Sequence, residues 1–127
     1  DEISEGTEAL RLGRLREEFW EKIAALDPTA IRNSAGAPIL FNTLNVSFPG
    51  CDGETLLMGL DLEGVSASSG SACMVGSIQA SHVLLAMGVS EDNARATVRF
   101  SLGHLTTRHQ IELAVSALGR VLSRQSR

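Results

Sequence analysis

The sequence predicts an α+β domain: a small, mostly antiparallel sheet covered by helices. Two segments carry the prediction of strands. "NTLNVSF" (42–48) and "ATVRFSLG" (96–103) alternate polar and apolar residues, as half-buried strands do. Helical stripes lie before, between and after them, with apolar residues at steps of three and four. The strands are few and short, which suits a small sheet rather than a large parallel one. The chain has 127 residues, 43% of them hydrophobic, enough for one ordinary core.

The first element is a long amphipathic helix. Leu12, Leu15, Phe19, Ile23 and Leu26 form its stripe, and Glu17, Glu18 and Glu21 its wet side. Asp27-Pro28 ends it, because proline disfavours helix in the residue before it. Gly13 weakens the helix without stopping it, and "DEISEG" is expected to fray. In the first strand Leu44, Val46 and Phe48 share the buried face. "PGCDGE" is a turn, and Asp52 caps a helix from Glu54 to about Leu62 with Leu56, Leu57 and Leu60 inward. Gly64 closes it. "VSAS" is a short strand leading into a Ser/Gly-rich loop. Ser81 starts a helix closed by Gly88, and Ser90 starts a helical turn through "EDNA". In the second clear strand Val98, Phe100 and Leu102 face one way, Thr97, Arg99 and Ser101 the other. Thr107 and Gln110 form a capping box for the last helix. Ile111, Val115, Leu118 and Leu122 line its buried stripe, and Arg120, Arg124 and Arg127 crowd its end.

The net charge is −4 and the cations form no basic stripe, which argues against nucleic-acid binding. No apolar run is long enough to span a bilayer. Cys51 and Cys73 form no C-x-x-C pair, and His82, His104 and His109 do not complete a metal-ligand spacing around them. No metal site is expected. Two cysteines do not make a disulfide scaffold, so a reducing cytoplasm is the expected location. The first residue is Asp rather than Met, and the expectation is that the chain is a processed or excised piece of something longer.

Cys73 lies in "SASSGSACMVGS" (66–77), among small residues. Such a segment reads either as a flexible linker or as a nucleophile on a mobile arm. Composition leaves both open. The order of residues is more specific. "GVSASSGSAC", then "SHVLLAMG", then "ATVRFSLGHLTT", with "FNTLNVSFPGCDGETLLMGLDLEG" upstream, resembles the carboxy-terminal part of cysteine desulfurases, in the class V aminotransferase group of pyridoxal-phosphate enzymes. The likeness runs from about Leu15 to the end, and the long loop after the cysteine resembles the NifS/IscS-like branch.

The resemblance implies a fold like the C-terminal domain of fold-type I pyridoxal-phosphate enzymes. Residues 1–127 would be that single small domain, 1–27 its linking helix, with the large cofactor-binding domain absent. It implies that Cys73 takes sulfur from L-cysteine as a persulfide, releasing L-alanine. Arg99 would grip the substrate carboxylate. The sulfur then passes to an acceptor protein such as an iron–sulfur scaffold, or toward thiolation, and the complete enzyme would be a homodimer. His82 matches the family's S-H-V and suits capping or packing. His104 stands where the family has arginine, a departure that removes any role carried over for it. His109 reads as solvated and Cys51 as a bystander. The family's cofactor lysine sits in S-x-H-K, which this sequence lacks. Its sole lysine, Lys22, reads as solvated, so no pyridoxal phosphate is expected on this chain alone. The rival readings are a non-enzymatic persulfide carrier or docking module, and an inactive remnant.

Overall fold

A computed structural model describes residues 2–33, 42–69 and 90–125. Helix α1 spans Glu2–Leu26, followed by strand β1 (Ile31–Arg32) and strand β2 (Thr43–Ser47). Helix α2 (Gly53–Leu62) leads to strand β3 (Ser68–Ser69). Helix α3 (Glu91–Arg95), strand β4 (Thr97–Ser101) and helix α4 (Arg108–Ser123) complete the described elements. The four strands form one antiparallel sheet in the order β1-β2-β4-β3.

Alternation in the two central strands builds the core. The register sets Leu44 opposite Phe100 and Val46 opposite Val98. All four are buried against the stripe of α1 (Leu12, Leu15, Phe19, Ile23) and that of α4 (Ile111, Leu118, Val121, Leu122). Phe19 meets Phe100 edge to face, with centroids 4.9 Å apart, and so locks α1 onto β4. Leu56 and Leu60 bring α2 into the same core, with Leu57 partly buried.

The capping predictions hold. The Asp52 carboxylate accepts from the Thr55 amide, and the Thr107–Gln110 box is reciprocal. Gly64 has φ 85°, the left-handed conformation that lets the chain leave α2. Gly53 serves close approach instead. A Cβ there would lie 2.3 Å from the Arg95 carbonyl oxygen, so only glycine lets the start of α2 abut the end of α3.

Four local expectations change. The helix begins at Glu2, so the first residues are helical rather than frayed. Arg11 holds that half of α1 in place, pairing with Glu8 and donating to the carbonyls of Thr106 (2.6 Å) and His104 (2.8 Å). Leu26 is 42% exposed rather than core, lying over Gly119 at the helix end. Strand β1, absent from the predicted order, pairs Ile31 with Ser47 and Arg32 with Val46. The strand expected over 65–68 pairs only at Ser68–Ser69. The helix expected from Ser81 to Gly88 lies outside the described residues, as do Arg127, Cys73 and His82. So does the expected mobile arm, except for Ser69, which lies in β3.

Candidate carboxylate-binding face

The sheet's second face is polar because the same alternation turns Thr43, Asn45 and Ser47, and Thr97, Arg99 and Ser101, away from the helices. Pairing stacks these residues into rows across the sheet. Asn45 lies directly opposite Arg99 on one side, and Ser68 opposite Arg99 on the other. Asn33 extends the row beyond Asn45, its amide donating to the Asn45 carbonyl at 2.9 Å.

Arg99 is exposed, and its Nε donates to Ser68 Oγ at 3.1 Å. That bond orients the side chain and leaves both Nη atoms without an acceptor among the described residues. Most of the other described arginines behave differently. Arg11, Arg16, Arg32, Arg95, Arg108, Arg120 and Arg124 each meet a glutamate, while Arg14 is exposed on the surface of α1 and lies on no strand face. A surface ion pair would be the ordinary fate of Arg99, and no carboxylate among the described residues reaches it. An oriented guanidinium with a free fork matches a carboxylate bidentately.

Beside this row a hydrogen-bond chain runs along the face. Asn33 Nδ2 donates to Ser47 Oγ (2.8 Å) and to Asn45 Oδ1 (3.2 Å). Ser47 Oγ and Thr97 Oγ1 are 2.6 Å apart, and Thr97 Oγ1 donates to the Asn93 carbonyl at 2.6 Å. Ser47 and Thr97 are fully enclosed, so the chain satisfies two hydroxyls that would otherwise be costly to bury. These neighbours of Arg99 were not singled out from sequence. Two-residue alternation assigns strand residues to one face, but which of them meet across strands depends on register.

Cys73 and His82 lie outside the described residues, and the other predicted residues stand apart from this face. Cys51 is buried in the core, its amide bonded to the Phe48 carbonyl at 3.0 Å. His104 offers Arg11 its backbone carbonyl rather than its ring. His109 is exposed on the first turn of α4. Lys22 is exposed on α1 near Glu18, whose pKa is lowered chiefly by the Arg108 hydrogen bond and further by the Lys22 charge. A groove of about 500 Å³ opens elsewhere, between α4 and residues 63–66; Arg99 and Asn45 do not line it. No helix among the described residues is long and apolar enough to cross a membrane.

The chain is similar to known proteins in sequence and fold. The chain is 38% identical, over its whole length, to an IscS-like cysteine desulfurase of Mycobacterium tuberculosis, covering 32% of that protein. It is 37% identical to the cysteine desulfurase IscS of Edwardsiella ictaluri, over 93% of this chain and 28% of that one. The crystal structure of a NifS-like protein from Rickettsia africae superposes with a TM-score of 0.75 at 30% identity, over 91% of this chain and 29% of that chain. The chain thus spans about a third of the length of these relatives. The aminotransferase class-V profile matches residues 8–113, and with the α+β fold in common, this chain belongs to the aminotransferase class-V family.

Proposed function

We propose that this chain is the sulfur-accepting C-terminal domain of a cysteine desulfurase. Residues 1–127 are one domain, with α1 linking it to a cofactor-bearing domain supplied by the rest of the enzyme. The observation that carries the reading is Arg99: a guanidinium held by Ser68, free of carboxylates, on the strand paired with β3. Strand β3 runs directly into Gly-Ser-Ala-Cys, and Cys73 follows Ser69 by four positions. Four residues reach at most about 14 Å, and that short separation in sequence supports reading Arg99 and Cys73 as parts of one site.

Each residue has one task. Arg99 binds the carboxylate of L-cysteine and anchors that end of the substrate. Cys73 is the nucleophile; an exposed thiol is a few per cent thiolate near neutrality. It attacks the substrate sulfur, forming a sulfur–sulfur bond as the carbon–sulfur bond breaks. The carbon keeps the electron pair and takes up a proton, so L-alanine leaves and Cys73 holds a persulfide. Pyridoxal phosphate would be held by the rest of the complete enzyme, where it would supply the electron sink for the amino acid. A tether of small residues lets the persulfide swing from this site to an acceptor such as an iron–sulfur scaffold or a thiolation relay. The complete enzyme is a homodimer working in the reducing cytoplasm, where Cys73 stays reduced.

Single-turnover assays of the complete enzyme separate the two roles. Cys73→Ser retains L-cysteine binding and releases no L-alanine. Arg99→Ala loses L-cysteine binding by about a hundredfold, the worth of a charge-assisted bidentate pair. Equal binding by both variants together with continued alanine release overturns the reading.

A further inference from the structure

The hydrogen-bond chain beside Arg99 has a direction, and the direction decides how Asn45 is oriented. The single hydroxyl proton of Thr97 is committed to the Asn93 carbonyl. Ser47 must therefore donate to Thr97, and the lone pairs of Ser47 accept from Asn33. This fixes Asn33 Nδ2 as the donor end of its amide. The same nitrogen donates its second proton to Asn45, so Asn45 turns its oxygen toward Asn33. The Asn45 NH2 group is left pointing away from that contact, with no acceptor among the described residues.

Asn45 stands directly opposite Arg99 in the β2–β4 register. Residues so paired have Cβ atoms about 5 Å apart on one face of the sheet. Arg99 is steered at its Nε end toward Ser68, on the far side from Asn45. Two open Nη groups and an open amide NH2 thus share one row of an exposed sheet face. All are donors, and no acidic side chain among the described residues bonds them.

We propose that Asn45 is a second substrate-binding residue, its amide donating to the α-carboxylate that Arg99 grips, and that Asn33 is its positioning residue. The inference rests on the functional reading above, since it takes L-cysteine as the ligand. A guanidinium fork alone leaves a carboxylate free to twist about the line that joins them. A second donor from the neighbouring strand fixes that rotation, and with it the direction of the substrate sulfur. Asn33 acts at one remove: it holds the Asn45 oxygen, so that the nitrogen and not the oxygen meets the substrate.

The test compares L-cysteine with cysteamine, which keeps the thiol and amine and lacks the carboxylate, on the complete desulfurase. Asn45→Asp keeps an oxygen for Asn33 and replaces the donors with a second oxygen. It should raise KM for L-cysteine more than about tenfold, while the cysteamine inhibition constant stays within about twofold. Asn45→Ala should raise the same KM about tenfold, and Asn33→Ala by a smaller factor. Thermal melting of each variant registers any loss of folding, and Asn45→Asp serves if Asn45→Ala does not fold. An unchanged KM in Asn45→Asp, with Arg99→Ala still impaired, overturns this assignment alone. So does an equal rise for L-cysteine and cysteamine. A wild-type enzyme that does not bind L-cysteine overturns both this assignment and the functional reading.

Discussion

Arg99 differs from its neighbours by what it lacks. In a chain with 15 acidic residues, an exposed arginine ordinarily finds a carboxylate. Arg32, two strands away at the sheet edge, has Glu17 at 2.5 Å, and Arg108 has Glu18 at 2.7 Å. Arg99 has a serine hydroxyl, which orients it without neutralising it. Arg99→Lys therefore keeps the charge and loses the fork, because an ammonium is a point donor. The expected KM for L-cysteine in steady-state assays lies between wild type and Arg99→Ala, about tenfold above wild type. A lysine variant equal to wild type would mean that charge alone is used. The position and face of Arg99 were legible from two-residue alternation. Its partners were not, because cross-strand neighbours come from register, and register depends on segments far apart in sequence.

Among the elements, those with a period or a cap were legible and those without were not. Helix α4 announces itself through Thr107 and Gln110, and both halves of the box form. Thr107→Ala should cost about 1 kcal/mol in chemical denaturation, since it frees the Gln110 amide. Strand β1 was invisible because two residues carry no period, and Ile31 points outward. Side chains hold it instead: Arg32 to Glu17 on the helix side, Asn33 to Asn45 and Ser47 on the other. Leu26 fits the α1 stripe by spacing, yet α4 presents Gly119 there and gives it little to bury against. Gly53 was read as part of a turn, and its actual reason is contact with a distant backbone. Gly53→Ala should lose about 1–3 kcal/mol, because the obstacle is the Arg95 carbonyl, which cannot swing aside as a side chain can. A melting temperature equal to wild type would show that α2 and α3 can separate at no cost.

The whole molecule is clipped together by arginine–glutamate pairs between elements. Arg32–Glu17 joins the sheet edge to α1, Arg108–Glu18 joins α4 to α1, and Arg120–Glu63 joins α4 to the end of α2. Each holds its glutamate below the usual carboxylate range. Hydrogen bonding from Arg32 is the main cause for Glu17, which falls to about 2 from 4.5. A folded pKa below the unfolded one gives stability that is complete above the unfolded value and is lost as pH falls through the folded one. Glu17 therefore contributes fully above about pH 4.5, and its contribution disappears between there and about pH 2. Its side chain is 47% exposed, so solvent screening limits the effect to about 1 kcal/mol or less. Arg32→Ala should lower stability at neutral pH and flatten the acid limb of the melting-temperature curve over that window. An unchanged acid limb would show that the pair does not hold β1 to α1.

These clips and the shared core fix the sheet that carries Arg99 and its partner Ser68. The most direct measurement is the mass of the complete enzyme, quenched after one turnover with L-cysteine under exclusion of reductant and mapped by peptide fragmentation. The mass should rise by one sulfur atom on Cys73, in step with release of one equivalent of L-alanine, with no such gain in Cys73→Ser. Alanine release with the added sulfur on Cys51, or with no sulfur retained on the protein, would contradict the assignment of Cys73 as the sulfur acceptor.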